Sequence, residues 1–206
     1  MKTRITLPSL KQHFSYDWWK YLLVLAVGLF SVSLLYSCTA PKPPREKTLV
    51  IEVYGFMPDS SPLTAVAEEI RTADIPGMEA VQVNSLLPDD AYGTAALTTY
   101  FAARQGDLFI LPREVYLQYS SNGFFLPLEE DPELMEILRS ADLQRGWRRN
   151  TQTGESHLYG IPLDQLPGLS QYLYVENGFV SVYIGNCSDE ASLQLLRSLC
   201  RRMLPD

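Results

Sequence analysis

The sequence predicts an α/β protein that is preceded by a membrane-spanning helix. A long uncharged apolar run lies near the N-terminus, and three apolar strand patterns separated by two helical patterns follow it. Strands that alternate with helices form a mainly parallel sheet with right-handed crossovers, flanked by those helices. A content of 46% hydrophobic residues with twelve tyrosines in 206 residues indicates a folded chain, not a disordered one.

Residues 21–38 are predicted to form a transmembrane helix. Tyr21 to Ser37 contains no charged residue, and aromatic residues that suit the membrane interfaces stand at both ends, namely Trp18, Trp19 and Tyr36. Residues 1–20 are too long and too mixed for the first part of a signal peptide. We therefore expect a single-pass protein of the cell membrane, with a cytoplasmic N-terminal segment (1–20) and an extracytoplasmic C-terminal domain.

A lipoprotein signal is the alternative interpretation of the same residues. The segment LLYSC (34–38) is similar to a lipoprotein processing site, which would place a lipid on Cys38. Tyr36 is bulky where such sites usually have a small or β-branched residue. Either anchor would tether the following domain to the same face of the membrane.

A proline-rich spacer over residues 39–47 separates the anchor from a domain over residues 48–206. Residues 1–38 contain four basic residues and one acidic residue, whereas residues 39–206 contain 13 basic and 23 acidic residues. Because phosphate recognition needs a basic face, this acidic domain is excluded as a nucleic-acid-binding module.

The first half of the domain alternates strands and helices. Strands are predicted at TLVIEVYG (48–55), MEAVQVNSL (78–86) and DLFILP (107–112). A helix is predicted over 62–73, and another between a cap at Asp89 or Asp90 and a stop at Gly106. The order strand, helix, strand, helix, strand predicts the parallel part of the sheet.

The last third of the chain is less regular. The pattern predicts a helix over 131–143, a polar turn or hairpin in GWRRNTQTGESH and a short strand over 157–163. Asn177-Gly178 predicts a hairpin between two further strands, and an amphipathic helix is expected over 189–203. That helix would hold Cys187 and Cys200 too far apart for a disulfide, so Cys200 is expected to be a buried free thiol.

Three segments resemble the extracellular solute-binding proteins of ABC importers, which have the type II periplasmic-binding-protein fold. The first segment begins at Gly106-Asp107 with a strand, continues through a helix to Asn122-Gly123 and ends in the loop Phe125-Leu126-Pro127-Leu128. The second segment is HLYGIPLD (157–164), and the third is FVSVYIGNCSDEASLQLLRSL. Phe125 replaces the leucine that is usual there. The resemblance implies a lobe with a mainly parallel sheet, and an envelope protein or a transporter as partner.

The resemblance also implies that one lobe is missing. Solute-binding proteins insert their second lobe after the strand that corresponds to HLYGIPLD, but here only residues 165–172 precede the next predicted strand. A single lobe offers a shallow surface, because ligands are held by closure of two halves. We therefore expect a non-enzymatic binding or assembly module; the alternative is the substrate-binding lipoprotein of an ABC importer for a sugar, peptide or related solute.

No catalytic or metal-binding residue is predicted. The chain has two histidines, His13 and His157, and no phosphate loop or zinc spacing accompanies them, so no cofactor is expected. Ligands of open α/β sheets bind at the carboxyl ends of the strands. The candidate ligand-binding residues at those ends are Tyr54, Phe56, Arg113, Glu114, Tyr159 and Asp164.

Overall fold

The computed structural model describes the backbone of residues 7–39, 43–87, 92–184 and 188–204. It divides into two units, Met1–Lys42 and Pro43–Asp206. The first unit contains helix α1, Leu7–Thr39. Within it, the segment Trp18–Ser37 has a mean hydropathy of 1.7 and is long and apolar enough to cross a membrane. The helix begins well before Tyr21, while the side chain of Cys38 and residues 40–42 of the spacer lie outside the described residues.

The second unit is built on a five-stranded sheet. Its strands are β1 (Thr48–Tyr54), β2 (Ala80–Leu86), β3 (Leu108–Leu111), β6 (Ile161–Pro162) and β7 (Phe179–Val182). Their order is β2-β1-β3-β7-β6. Strand β1 is parallel to β2 and β3, whereas β7 is antiparallel to both β3 and β6. The sheet is therefore mixed and mostly parallel, as predicted.

Helices cover the sheet, and the strand pattern explains why. They are α2 (Ser61–Asp74), α3 (Tyr92–Ala102), α4 (Arg113–Ser120), α5 (Pro132–Ile137) and α6 (Asp189–Met203). Alternate residues of a strand face opposite sides of the sheet. In β3, Leu108 and Ile110 join an aliphatic cluster with α2 and α6, while Phe109 and Leu111 join an aromatic cluster with α3 and α4. Both faces are therefore buried, and the α/β class predicted from the sequence is confirmed.

Three local predictions for the last third of the chain are wrong. The expected strand over 157–163 is two elements, because its first part pairs as β5 (Ser156–Leu158) with β4 (Trp147–Arg149) and only Ile161–Pro162 joins the main sheet. The chain turns between them at Gly160, where a Cβ would lie 2.8 Å from the Tyr116 ring. The predicted helix over 131–143 forms only as the shorter α5.

The third error is the hairpin at Asn177-Gly178. Asn177 does adopt the left-handed backbone conformation, with φ of 47°. Its two flanks do not pair with each other, however, because β7 is occupied on both sides by β3 and β6. The preceding flank instead forms an isolated bridge from Tyr174 to Phe56.

The last helix agrees with the sequence in extent and in its buried face. It runs over Asp189–Met203, and the Ser188 side chain caps it by accepting a hydrogen bond from the Ala191 amide. Cys200 is a buried free thiol, as expected, and burial raises its pKa to about 12. Cys187 lies outside the described residues.

A buried ion pair joins α6 to α5. Asp131 caps α5 through Oδ1, which accepts hydrogen bonds from the amides of Glu133 and Leu134 at 3.1 and 3.0 Å. Its Oδ2 accepts from Nε of Arg197 at 2.7 Å, and the two side chains are only 4% and 14% exposed. The Asp131 carboxylate thus caps the start of α5 and also binds a side chain of α6.

Replacement of Arg197 by alanine should destabilise the domain strongly. It leaves the Asp131 carboxylate buried without its cationic partner, and such losses cost about 3 kcal/mol or more. Urea denaturation of the full chain in detergent measures the change in the free energy of unfolding. Arg139→Ala is the matched control, because the Arg139–Glu136 pair is 81% and 73% exposed and should contribute less than about 1 kcal/mol. Equal stability losses for both variants would contradict this role of Arg197.

Candidate functional site

The carboxyl ends of the parallel strands meet at one edge of the sheet, which we call the carboxyl edge. Strands β1, β3 and β6 run in the same direction, and the antiparallel β7 begins where they end. Segment 163–178 connects β6 to β7 across this edge. It contains two 3-10 turns, Leu163–Gln165 and Pro167–Gln171. The carboxyl edge is where open α/β sheets place their ligands.

A pocket of about 320 Å³ lies at the carboxyl edge, beside the end of β6. We call its buried lining residues, Leu173, Val175 and Gly178, the floor, and its exposed lining residues, most of which are polar, the rim. The lining residues are Arg145, Leu163, Asp164, Pro167, Ser170, Leu173, Tyr174, Val175, Asn177 and Gly178. Most of them come from segment 163–178, so the connection between two strands forms this pocket. Its volume is at the lower end of the range of small-molecule sites.

An ion pair between Arg145 and Asp164 dominates the electrostatics of the pocket. Nη2 of Arg145 donates to Oδ2 of Asp164, and the side chains remain 46% and 57% exposed. The pair therefore retains hydrogen-bonding capacity toward solvent. Ser170 contributes a hydroxyl that donates to the Pro167 carbonyl at 2.7 Å, which leaves its oxygen able to accept a further bond. These groups could hold a polar, uncharged group without separating the ion pair.

Two exposed aromatic side chains lie next to the pocket. Phe56 is 55% exposed and Tyr174 is 69% exposed. Their backbones exchange two hydrogen bonds, from the Phe56 amide to the Tyr174 carbonyl at 3.1 Å and in the opposite direction at 2.8 Å. Gly55 permits this approach, because a Cβ there would lie 2.5 Å from Cγ2 of Val175.

The structure brings only part of the predicted site together. Asp164 lines the pocket and Phe56 contacts its rim residue Tyr174 through the backbone. Arg113 and Glu114 are exposed in the first turn of α4 and do not line the pocket. Sequence reasoning did not find Arg145, because it precedes the hairpin β4–β5 and no local motif marks it.

The two remaining candidates, Tyr54 and Tyr159, are in the aromatic cluster inside the domain. They are 5% and 3% exposed, and Nδ2 of Asn150 donates to the Tyr159 hydroxyl at 3.1 Å. A ligand on the surface of the carboxyl edge would not reach either ring. Their place at strand ends suggested a site, but the helices that cover this face of the sheet bury them.

His157 ties the hairpin β4–β5 to the body of the domain. Its Nδ1 lies 2.6 Å from Oε1 of Glu129, and Oε2 of Glu129 accepts from the Leu158 amide at 2.8 Å. The hydrogen bond to Glu129 raises the pKa of His157 above its ordinary value. Among the residues that the structure describes, no group of three or more His, Cys, Asp or Glu side chains is placed to hold a metal ion.

Glu52 is a buried carboxyl group in an otherwise apolar strand, and the sequence pattern did not predict its burial. It is 2% exposed in the middle of β1, and its Oε1 accepts from Nδ2 of Asn84 at 2.9 Å. Oε2 has no hydrogen-bond partner among the described residues. Burial raises its pKa, which favours the neutral acid. The side chain lies away from the pocket and is not among its lining residues.

Comparisons with known proteins show partial structural similarity. An extracellular solute-binding protein family 1 from Alicyclobacillus acidocaldarius subsp. acidocaldarius DSM 446 has a TM-score of 0.42 and 21% identity, over 59% of this chain and 28% of that chain. A family 1 extracellular solute-binding protein from Bifidobacterium longum subsp. infantis has a TM-score of 0.40 and 17% identity, over 58% and 28%. The N-glycan transport solute binding protein from Streptococcus pneumoniae has a TM-score of 0.41 and 19% identity, over 59% and 25%.

This chain therefore spans little more than a quarter of the length of those solved structures. No protein-family model matches the sequence, and no curated protein matches it either.

The contact of His157 with Glu129 should make stability depend on pH. A folded-state pKa above the unfolded value near 6.5 means that protonation stabilises the fold. This contribution is complete below the unfolded pKa and is lost as the pH rises through the raised folded pKa. The difference in unfolding free energy between wild type and His157→Gln should therefore be larger at pH 5.5 than at pH 9, as measured by urea denaturation. Glu136→Gln is the control, since that carboxylate is 73% exposed and pairs with Arg139 rather than with His157. A difference that is the same at both pH values would exclude the contact as a proton-linked one.

Proposed function

We propose that this chain is a single-pass membrane protein whose domain 48–206 lies outside the cytoplasm and serves as a non-enzymatic binding or assembly module. The proposal keeps the predicted domains: a cytoplasmic segment (1–20), a membrane anchor (21–38), a spacer (39–47) and the solute-binding-like domain. Helix α1 supports the anchor, because Trp18–Ser37 has the length and hydropathy of a span.

One observation carries the assembly function. Segment 163–178 packs Leu166, Leu169, Leu173 and Val175 into the aliphatic core, so the carboxyl edge is closed by the chain itself. A half-open pocket and two exposed aromatic rings remain at this edge. Such a surface fits docking of a second protein better than enclosure of a solute, since solute affinity depends on burial of most of the ligand.

The proposed non-enzymatic role agrees with the way in which the charged side chains of this region pair with one another. Within the described ranges, His157 is hydrogen-bonded to Glu129 and contacts Glu155, with no serine or cysteine nucleophile paired to it. The Arg145–Asp164 pair neutralises the charged groups of the pocket. Neither arrangement provides a nucleophile activated by an adjacent base.

The proposed topology predicts which face of the membrane carries the domain. Protease added to right-side-out membrane vesicles should degrade residues 48–206 and leave the segment 1–20 protected, and inverted vesicles should show the reverse. Intact mass determines the anchor: a chain that retains Met1 has an uncleaved helix, whereas a chain that starts at a diacylglyceryl Cys38 is a lipoprotein. Protection of residues 48–206 in right-side-out vesicles would disprove the topology.

The pocket favours a second candidate function, the substrate-binding lipoprotein of an ABC importer for a sugar, peptide or related solute. The exposed ring of Tyr174 and the hydrogen-bonding groups of Arg145 and Asp164 are the types of side chain that orient a small polar ligand. In this case lipidation at Cys38 is expected in place of a permanent span.

A thermal-shift screen distinguishes the two candidate functions. A solute at 100 times its dissociation constant adds about 2.7 kcal/mol to stability, so a saccharide or oligopeptide ligand of the pocket should raise the melting temperature by several degrees. Asp164→Asn should reduce that shift, and Glu136→Gln, an exposed carboxylate of α5 outside the pocket, should not. No stabilisation by any member of either class would count against the importer function.

A further inference from the structure

Three exposed apolar side chains lie at the ends of strands and in the connection at the carboxyl edge, namely Leu87, Phe56 and Tyr174, and we call this set the ridge. These side chains are 61%, 55% and 69% exposed. The ends of β1 and β2 lie side by side, because the Gly55 amide donates to the Leu86 carbonyl at 3.0 Å. Gly55 and Leu87 are the next residues after the last pair of this register, Tyr54 and Leu86, and the isolated bridge places Phe56 opposite Tyr174. Large exposed side chains that are contiguous mark interaction sites more often than isolated ones do.

The backbone beneath the ridge is held by hydrogen bonds and close packing. The two hydrogen bonds between Phe56 and Tyr174 fix one loop against the other. Val175 is 8% exposed and packs directly against Gly55, where a Cβ would also lie 2.9 Å from the Tyr174 carbonyl. Side chains held in place before binding lose less entropy when a partner docks, and aromatic residues are the commonest energetic anchors of interfaces.

Two acidic side chains next to the ridge form no ion pair among the residues that the structure describes, although the Ser61 amide donates to Oδ1 of Asp59 at 2.9 Å. They are Asp59, which follows Phe56 in the same loop, and Glu176, which follows Tyr174. Arg145 is already paired with Asp164, and Arg113 is followed in the sequence by Glu114, which has the opposite charge. By contrast, the three arginines of α6 all bond to carboxylates, namely Asp131, Glu133 and Glu69. Asp59 and Glu176 add to the acidic excess of residues 43–206, which contain 23 acidic and 12 basic residues.

We propose that the ridge docks a positively charged protein segment that carries an aromatic or aliphatic anchor residue. This inference rests on the proposed assembly function and adds the chemistry of the partner. Complementary charge steers encounter and excludes wrong partners, while the apolar row supplies affinity. A second copy of this chain fits poorly, because residues 43–206 contain 12 basic and 23 acidic residues and two such domains would repel each other.

The test uses the full chain in non-ionic detergent and two labelled eight-residue peptides. Both contain two tryptophans and two glycines at the same positions; four lysines complete one peptide and four glutamates complete the other. Fluorescence anisotropy, corrected for binding to protein-free micelles, should show binding of the lysine peptide only. Its affinity should fall several-fold between 50 and 300 mM salt.

Variants separate the ridge from general attraction to an acidic protein. Phe56→Ser combined with Tyr174→Ser should weaken the lysine peptide at least tenfold, whereas Ile184→Ser, an exposed residue just beyond the other end of β7, should not. The double variant Asp59→Asn, Glu176→Gln should bind the lysine peptide several-fold more weakly than the wild type. The charge-matched control, Asp74→Asn with Glu79→Gln, lies near the start of β2 at the opposite edge and should have little effect. If circular dichroism shows that the double serine variant is unfolded, the comparison of the two charge variants tests the proposal instead.

The proposal is overturned if the two peptides bind equally, or if ridge and control variants lose affinity to the same extent. It is also overturned if light scattering shows a wild-type dimer that the ridge variant converts to a monomer, because the occupant is then a second copy. These results do not depend on the membrane topology. A cytoplasmic domain in the vesicle experiment would refute the proposed function alone, and absent peptide binding with the predicted topology would refute this inference alone.

Discussion

Strand β3 is paired on both sides and all four of its residues are buried. Its parallel partner β1 and its antiparallel partner β7 come from the two ends of the domain sequence, so β3 joins the regular first half to the irregular last third. Burial on both faces requires apolar residues at every position, and LFIL meets this requirement. The carboxyl edge, the pocket and the ridge are all consequences of this pairing, because it sets which strand ends meet.

Segment 163–178 decides what kind of surface the carboxyl edge becomes. Its leucines pack into the aliphatic core, and its backbone reaches across to Phe56. Segment 163–178 thus contributes to the core, forms the floor of the pocket and supplies Tyr174 of the ridge. An edge that is closed in this way retains a pocket of about 320 Å³, and this geometry is the basis of the proposed docking function.

Charged side chains hold the irregular elements where regular hydrogen bonding ends. Arg197 and Asp131 join the last helix to the short α5, and His157 and Glu129 join the small hairpin to the body of the domain. Both pairs are at least partly shielded from water, which strengthens them relative to exposed pairs. Asp59, by contrast, accepts a single amide hydrogen bond from Ser61 and forms no ion pair among the described residues.

The sequence alone determined the apolar N-terminal helix, the α/β class, the positions of the first three strands and the extent of the last helix. These features depend on local periodicity, uncharged length and capping residues, which act within a few residues of one another. Tertiary structure decided the features that depend on pairing between distant segments. Competition for β7 removed the hairpin expected at Asn177-Gly178, and the covering helices buried Tyr54 and Tyr159.

The same distinction applies to the candidate site. Asp164 and Phe56 were predicted because residues at strand ends are visible in a sequence. Arg145 and Tyr174 were not, because each reaches the carboxyl edge only through a fold-dependent contact, to Asp164 in one case and to Phe56 in the other. A sequence specifies which side chains are available. The ring of Tyr174 and the guanidinium of Arg145 become part of the same surface only because pairing between distant strands forms the carboxyl edge.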